Sequence, residues 1–262
     1  TPTRTYKGGV LPSGYTVVGQ ISYTNVADVS ATGVGTAAVT ITHTASGAEL
    51  VLTDAITIRR RAVTVVSDNT ATDYTGKPQS STADGKVQVG GDGMADGETL
   101  SATATSAEHT NAGIYDMAFG PIAVSGGQAK ADNYTFTETP GKFLINKLKL
   151  TVWPKEDAID YGVYGTGNPY TFPQGIRFSG AVNGEEPAGI LTPGTFNFTT
   201  TYSFTKPDDV GDYDLYFVDG SGNLIDNTYY SATNYDVELK KGTLTVRASS
   251  LNRPDLTVAS TR

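Results

Sequence analysis

Clustered carboxylates are the first feature of this 262-residue chain that could carry chemistry. The stretch DDVGDYD contains Asp208, Asp209 and Asp212, and carboxylate oxygens are preferred ligands of calcium. Along a strand, Asp212 and Asp214 would share one face, whereas Asp208 and Asp209 belong to the preceding turn. We therefore consider Asp208, Asp209 and Asp212 as a candidate calcium site, with a solvated turn and strand edge as the alternative.

A second acidic feature is the adjacent pair Glu185 and Glu186. Two carboxylates can act as acid and base in glycosidases, but this pair lies in the segment NGEEPAG, whose composition indicates a turn with solvated acids. The histidines His43 and His109 are far apart in sequence, and no G-x-S-x-G nucleophile motif occurs. We predict no catalytic residue, no enzymatic activity and no cofactor besides the calcium considered above.

Aromatic side chains are more frequent in residues 148–247 than in the rest of the chain. Exposed flat rings beside Asn and Asp suit the faces of sugars, and exposed apolar patches often mark interaction surfaces. The alternative is that these rings fill a larger hydrophobic core. The residues that we consider as ligand-facing are Trp153, Tyr164, Tyr170, Tyr229 and Tyr230.

Composition indicates an all-β protein. Threonine, valine and tyrosine suit pleated surfaces, 30 glycines mark turns, and no window has the apolar spacing of an amphipathic helix. The net charge of −8 argues against nucleic acid as a partner, and no apolar run is long enough to insert into a membrane. The absence of cysteine excludes disulfides and thiolate metal sites.

Internal repetition organises the chain. The segment IRRRAVTV (58–65) aligns with INKLKLTV (145–152) at an offset of 87, and the same offset places Asp73-Tyr74 on Asp160-Tyr161. Further along, NAGIYDM (111–117) matches DVGDYDL (209–215). Each copy ends in an N-Y pair that is followed, after the same spacing, by a glycine and an alternating strand, KFLIN or TLTVR.

These matches predict three modules and a tail. Repeat 1 (1–61) is a short or N-terminally truncated module that contains TYKG (5–8); repeat 2 (62–147) is a β-sandwich module; repeat 3 (148–247) is a longer, aromatic-rich sandwich module. Residues 248–262 form a tail or the start of a further module, with strand donation to another chain as an alternative. The closing strand of each repeat runs directly into the next repeat, which predicts stiff end-to-end stacking.

The series D-Y-G or D-Y-T-G, then A-G-x-Y, N-Y and G-x-L-x-I/V resembles the MBG/YDG-type modules that occur in tandem in bacterial surface adhesins. The resemblance covers residues 62–247 and part of 1–61. It implies repeated extracellular β modules, commonly part of a stalk, and it implies no catalytic residues.

We therefore expect immunoglobulin-like β-sandwich modules arranged as a rod, in a non-catalytic spacer of a bacterial cell-surface adhesin or extracellular filament. Its expected partners are neighbouring modules of the same or an identical chain. The alternative is a module that binds a host or surface glycan or protein through the aromatic side chains of repeat 3. Lysine cross-links to Asn or Asp are a further option, with Lys77, Lys142 and Lys149 as donors.

Overall fold

A computed structural model describes residues 13–24, 34–88, 91–127, 130–165, 167–172, 175–206 and 208–249. The TYKG motif of repeat 1 and the tail from residue 250 onward lie outside the described residues, and so does the predicted strand donation. Nearly all regular structure in the described part is β, which confirms the all-β prediction. No helix among these residues has the length and apolarity needed to cross a membrane.

Strands follow one another along the described chain and are joined by turns and by longer connections. They are β1 Tyr15–Thr24, β2 Val34–His43, β3 Glu49–Thr57, β4 Arg61–Ser67, β5 Thr70–Asp73, β6 Thr82–Val87, β7 Thr99–Ser101, β8 Thr103–Ser106, β9 Gly113–Phe119, β10 Ala123–Ser125, β11 Tyr134–Thr139, β12 Lys142–Asn146, β13 Leu148–Pro154, β14 Asp157–Asp160, β15 Ile176–Ser179, β16 Asn197–Thr200, β17 Gly211–Val218, β18 Tyr235–Leu239 and β19 Gly242–Arg247. A single helical turn, α1, spans Pro187–Ile190, and a 3₁₀ turn spans Ala131–Asn133.

The chain forms two compact units, each assembled from separate segments. The first contains Thr1–Thr70, Ser81–Ala107 and Asp116–Phe143, and the second contains Ala71–Ser80, Glu108–Tyr115 and Leu144–Arg262. The second unit thus combines short segments of repeat 2 with the whole of repeat 3.

The first unit contains two main sheets. Strands β1, β2 and β3 form an antiparallel meander, in which Ala37 and Ile41 are buried. A second sheet includes the consecutive strands β11-β4-β6-β8-β9, among which β11 and β4 are parallel and the other neighbours are antiparallel. Its core is centred on Val63, Val65 and Tyr134, because alternate residues of these strands face the interior.

The second unit contains two sheets of repeat 3, with orders β15-β13-β18 and β14-β19-β17-β16. Strand β13 contacts both β17 and β19 of the other sheet. Alternation along the strands places a single apolar face inside, as expected for half-buried sheets. The buried side chains of these strands include Leu150, Val152, Leu215, Leu244 and Val246.

In both repeat 2 and repeat 3, the opening strand pairs in parallel with a strand near the end of the repeat. Tyr134 of β11 is opposite Arg61 of β4, and Tyr235 of β18 is opposite Leu148 of β13. The aligned residues of the two repeats therefore occupy the same register, and the N-Y pair marks the start of the strand that runs parallel to the opening strand.

The glycine that follows each N-Y strand lies where two backbone segments cross. A Cβ on Gly141 would lie 2.3 Å from the carbonyl oxygen of Asp68, and a Cβ on Gly242 would lie 2.8 Å from that of Pro154. Any larger residue must push the two segments apart, so the repeated glycine is a packing requirement of the crossing.

Replacement of Gly141 by alanine should lower the free energy of unfolding of the first unit by about 1–3 kcal/mol, because the added methyl group overlaps the Asp68 carbonyl. The matched control is Gly120→Ala, where the nearest atom is an ordinary 3.8 Å away. Chemical denaturation followed by circular dichroism measures both. Equal shifts of the two variants would contradict the crossing explanation.

Candidate functional site

Tyr235, the first residue of β18, is buried with its hydroxyl held in a turn of repeat 3. The turn spans Val182 to Glu185 and is closed by a hydrogen bond from the Glu185 N–H to the Val182 carbonyl oxygen (3.0 Å). The Tyr235 hydroxyl donates to Glu185 Oε2 (2.5 Å) and accepts from the Val182 N–H (3.1 Å). Both hydrogen-bonding capacities of the phenol are therefore used.

Repeat 2 contains the same arrangement at its own N-Y pair. The Tyr134 hydroxyl donates to Glu98 Oε2 (2.5 Å) and accepts from the Ala95 N–H (3.1 Å), and the Glu98 N–H donates to the Ala95 carbonyl oxygen (3.0 Å). The turn sequences are ADGE (95–98) and VNGE (182–185), separated by the same offset of 87 as the opening strands. In both turns the glycine has a positive φ, 75° at Gly97 and 74° at Gly184.

In the second unit the other oxygen of Glu185 binds a tyrosine from repeat 2. The Tyr74 hydroxyl donates to Glu185 Oε1 (2.6 Å), and the rings of Tyr74 and Tyr235 meet edge to face with centroids 5.6 Å apart. Tyr74 is only 4% exposed. Its N–H donates to the Asn146 carbonyl oxygen (3.0 Å), which positions the tyrosine at the end of β12. One carboxylate thus accepts hydroxyls from two consecutive repeats.

Asn234 provides a second connection between the same repeats. Its Oδ1 accepts the Ala112 N–H (2.8 Å), and its Nδ2 donates to Asn111 Oδ1 (3.1 Å). The Asn234 carbonyl oxygen accepts the Leu148 N–H (3.0 Å), so the residue also lies beside the first residue of β13. Both members of the N-Y pair therefore contact repeat 2.

A third connection joins the D-Y-T-G turn of repeat 2 to the VNGE turn. Asn183 Nδ2 donates to the Gly76 carbonyl oxygen (3.2 Å). Gly76 has a φ of +72°, and a Cβ at this position would lie 2.7 Å from the Asn183 Cβ. Glycine is thus needed both for the turn and for the close approach. We call the set Tyr74, Gly76, Asn111, Ala112, Asn183, Glu185, Asn234 and Tyr235 the clasp.

The clasp keeps its tyrosines protonated over a wide pH range. Burial, reinforced by the hydrogen bond to Glu185, raises the pKa of Tyr74 to about 12 and that of Tyr235 to about 12. Ionisation of either phenol would remove a donor and place a second negative charge beside the carboxylate. The arrangement therefore acts as a pair of fixed hydrogen-bond donors to one anion, which is suited to holding segments together.

The five predicted ligand-facing aromatics fall in three places of repeat 3. Trp153 is half-buried on β13, with the Arg177 guanidinium 5.8 Å from its ring centroid. Tyr164 and Tyr170 contact each other and pack against the core around Leu244, and the Tyr170 hydroxyl donates to Asp157 Oδ2 (2.5 Å).

The remaining pair lies near Phe217. Tyr230 is buried and its hydroxyl donates to the Thr195 carbonyl oxygen (2.9 Å), whereas the neighbouring Tyr229 is 38% exposed. Burial of the Tyr230 hydroxyl raises its pKa to about 12. Ligand binding by these rings stays a prediction, and Tyr229 is the most exposed of the five.

The three aspartates considered for calcium use their oxygens in local hydrogen bonds. Asp208 Oδ2 accepts the Ser203 N–H (3.2 Å), Asp212 Oδ1 accepts the Thr245 hydroxyl (2.7 Å), and the Asp209 carbonyl oxygen accepts the Tyr213 hydroxyl (2.6 Å). Across the described ranges, no group of three or more Asp, Glu, His or Cys side chains could hold a metal ion. Calcium binding here stays a prediction.

Of the lysines considered for cross-links, Lys142 contacts Asp116 and Lys149 contacts Glu238 (3.0 Å). The side chains of both lysines are more than half exposed. Each pair is an ordinary surface ion pair, which contributes little to stability.

Sequence reasoning missed the central residue of the clasp, because Glu185 was assigned to a solvated turn. A signal was present, since both turns end in G-E at the offset that aligns the opening strands. Glu98 and Glu185 are therefore repeat residues, whereas Glu186 has no counterpart because Thr99 occupies the matching position.

We compared the chain with models of protein families, with curated proteins and with solved structures, and none of them matches it.

Replacement of Tyr74 by phenylalanine should lower the free energy of unfolding of the second unit by about 1.5–3 kcal/mol, since a hydrogen bond to a charged group is lost. The matched control is Tyr161→Phe, which changes the aligned but 42% exposed tyrosine of repeat 3 and should shift the value by less than about 0.5 kcal/mol. Thermal unfolding of both variants checks this. If Tyr161→Phe were as destabilising as Tyr74→Phe, loss of the hydrogen bond to Glu185 would not explain the lower free energy of unfolding.

Stability should also fall at alkaline pH. Because the pKa values of Tyr74 and Tyr235 are higher in the folded protein than the ordinary 10.0, their contribution is complete below pH 10 and is lost as the pH rises towards 12. Melting temperatures measured across this range should fall less steeply for Tyr74→Phe than for the wild type. Parallel curves would contradict a role for the Tyr74 phenol.

Proposed function

We propose that the chain is a non-catalytic structural spacer of a bacterial cell-surface adhesin or extracellular filament, built from tandem immunoglobulin-like β-sandwich modules joined end to end as a rod. One observation carries the proposal: the clasp joins residues of repeat 2 to residues of repeat 3 inside one compact unit. In the clasp, residues that have counterparts in the other repeat, such as Tyr74 and Glu185, hold two neighbouring repeats together, which is the main task of a spacer.

The covalent connection between repeats 2 and 3 is short, which supports the role of a spacer. Strand β12 ends at Asn146 and β13 begins at Leu148, so Lys147 alone separates the two strands. The Lys147 ammonium donates to the Ala232 carbonyl oxygen (3.0 Å), which gives this residue a contact of its own. A single connecting residue leaves little backbone freedom for one module to swing against the next.

The clasp adds constraints at several points around that connection. Glu185 holds Tyr74, Asn234 holds Asn111 and Ala112, and Asn183 holds the Gly76 carbonyl oxygen. One contact beside a short linker would still permit rotation about the axis through both, whereas contacts at two separate places, the VNGE turn and Asn234, oppose it. The chain has no cysteine, so this orientation is held by hydrogen bonds and packing without disulfides.

The bacterial surface location rests on the resemblance to MBG/YDG-type modules. The proposed partners are neighbouring modules of the same or an identical chain, and neither nucleic acid nor membrane insertion forms part of the proposal. Binding of a host or surface glycan or protein through repeat 3 stays a separate prediction.

Loss of the clasp should make the orientation of repeat 3 relative to repeat 2 less defined. Because the chain has no cysteine, spin labels can be attached to cysteines introduced at the exposed strand positions Ala71 of repeat 2 and Ser179 of repeat 3, both in the second unit. Pulsed electron paramagnetic resonance should give a narrow distance distribution for the wild type and one at least about twice as wide for Glu185→Ala, since three fixed contacts are reduced to two.

The control is Glu186→Ala, because the neighbouring Glu186 is exposed and makes no capping hydrogen bond to α1. It should leave the distribution unchanged. A wild-type distribution as broad as that of Glu185→Ala would contradict the spacer function, because the modules would then be free to swing with the clasp present.

A further inference from the structure

Repeat 3 contains counterparts of the repeat 2 residues that belong to the clasp. The Tyr161 N–H donates to the Arg247 carbonyl oxygen (2.8 Å), as the Tyr74 N–H does to that of Asn146 (3.0 Å). The Tyr213 hydroxyl donates to the Asp209 carbonyl oxygen (2.6 Å), and the aligned bond in repeat 2 has the same length. The turn at Asp209-Val210, which aligns with Asn111-Ala112, therefore has the same hydrogen bond from a tyrosine hydroxyl.

These features of repeat 3 lie together at one end of its four-stranded sheet. Asp160, the last residue of β14, is opposite Arg247, the last residue of β19. Gly211, the first residue of β17, is opposite Val246. Tyr161 and Val210 therefore flank the end of β19 on its two sides.

This end of repeat 3 is exposed where its counterpart in repeat 2 is covered. Tyr161 is 42% exposed, against 4% for Tyr74. Val163 and Val210 are also large apolar residues with about half of their surface exposed. The aligned residues of repeat 2 are Gly76 and Ala112, which bind Asn183 and Asn234. We call Tyr161, Val163 and Val210 the distal face.

The partner that fits the distal face can be inferred from the residues of repeat 3 that cover Tyr74. There a D/N-G-E turn supplies a carboxylate to the tyrosine hydroxyl, and an N-Y pair supplies an asparagine to the neighbouring backbone N–H. We propose that the distal face is a docking surface for a further β module that carries a D/N-G-E turn and an N-Y pair. Its glutamate accepts the Tyr161 hydroxyl, and its asparagine accepts the Val210 N–H.

The distal face also differs from its counterpart in a way that affects the approach of a partner. Gly162, with a φ of +77°, takes the left-handed position one residue earlier than Gly76, and Val163 occupies the register of Gly76. The partner turn therefore packs on an apolar side chain instead of a bare backbone. Burial of Val163 adds apolar contact to the docking, in proportion to the area removed from water.

This inference rests on the proposed function, since it extends the same clasp to one more junction. The test uses an extended chain, residues 1–248 followed directly by a second copy of residues 148–247. Ala248 then takes the place of Lys147 between the two copies. The appended copy brings its own Glu185, Asn234 and Tyr235 to the distal face.

Spin labels at Ser179 of repeat 3 and at Ser179 of the appended copy report on the new junction. We expect a distance distribution as narrow as that between Ala71 and Ser179 in the original chain. Tyr161→Phe should widen it about twofold in the extended chain. Glu186→Gln in the appended copy, the control, should leave it unchanged, whereas Glu185→Gln there should widen it as Tyr161→Phe does.

The outcomes separate the two proposals. If Glu185→Ala widens the original junction of repeats 2 and 3 but Tyr161→Phe changes nothing at the new one, the distal face is not a docking surface and the spacer function stands. If neither variant widens its junction, both proposals fail. An appended copy that does not fold against repeat 3 also counts against docking, because the same residues fold at the original junction.

Discussion

The Glu185 carboxylate needs several hydrogen-bond donors at once, and the structure of the second unit meets that need. The side chain is partly buried between two tyrosine rings, where a carboxylate without donors would be strongly destabilising. Tyr235 reaches one oxygen from repeat 3, and Tyr74 reaches the other from repeat 2. The carboxylate is therefore well satisfied only when residues of both repeats are in place.

Strand pairing delivers these donors to the correct positions. In repeat 3, β13 and β14 belong to different sheets, and so do β18 and β19, which run parallel to them. The two segments of the chain therefore cross from one sheet to the other together, at the level of Gly242 and Pro154. This crossing places the N-Y pair at the end of the repeat where the chain enters it, next to the preceding repeat.

The same crossing explains why tyrosine and glycine recur where they do. The tyrosine of the N-Y pair starts the parallel strand and points its hydroxyl into the G-E turn, as both Tyr134 and Tyr235 show. The glycine allows the later backbone contact, as at Gly141. Both residues keep separate segments of a repeat in contact with each other.

The sequence alone determined the all-β class and the register of the repeats, because strand propensity, turn residues and side-chain alternation act over a few neighbouring residues. It also pointed to the N-Y pairs and the turn glycines, since their spacing is the same in both copies. It did not indicate that Glu185 binds two tyrosines, because Tyr74 and Tyr235 are far from it in the chain and a glutamate in a glycine-containing turn is usually solvated. Only the tertiary structure decided which aromatic rings are buried and which acid is shared, since both depend on distant segments meeting. The partner of a hydrogen bond between repeats is set by how the strands cross, and local sequence does not encode that crossing.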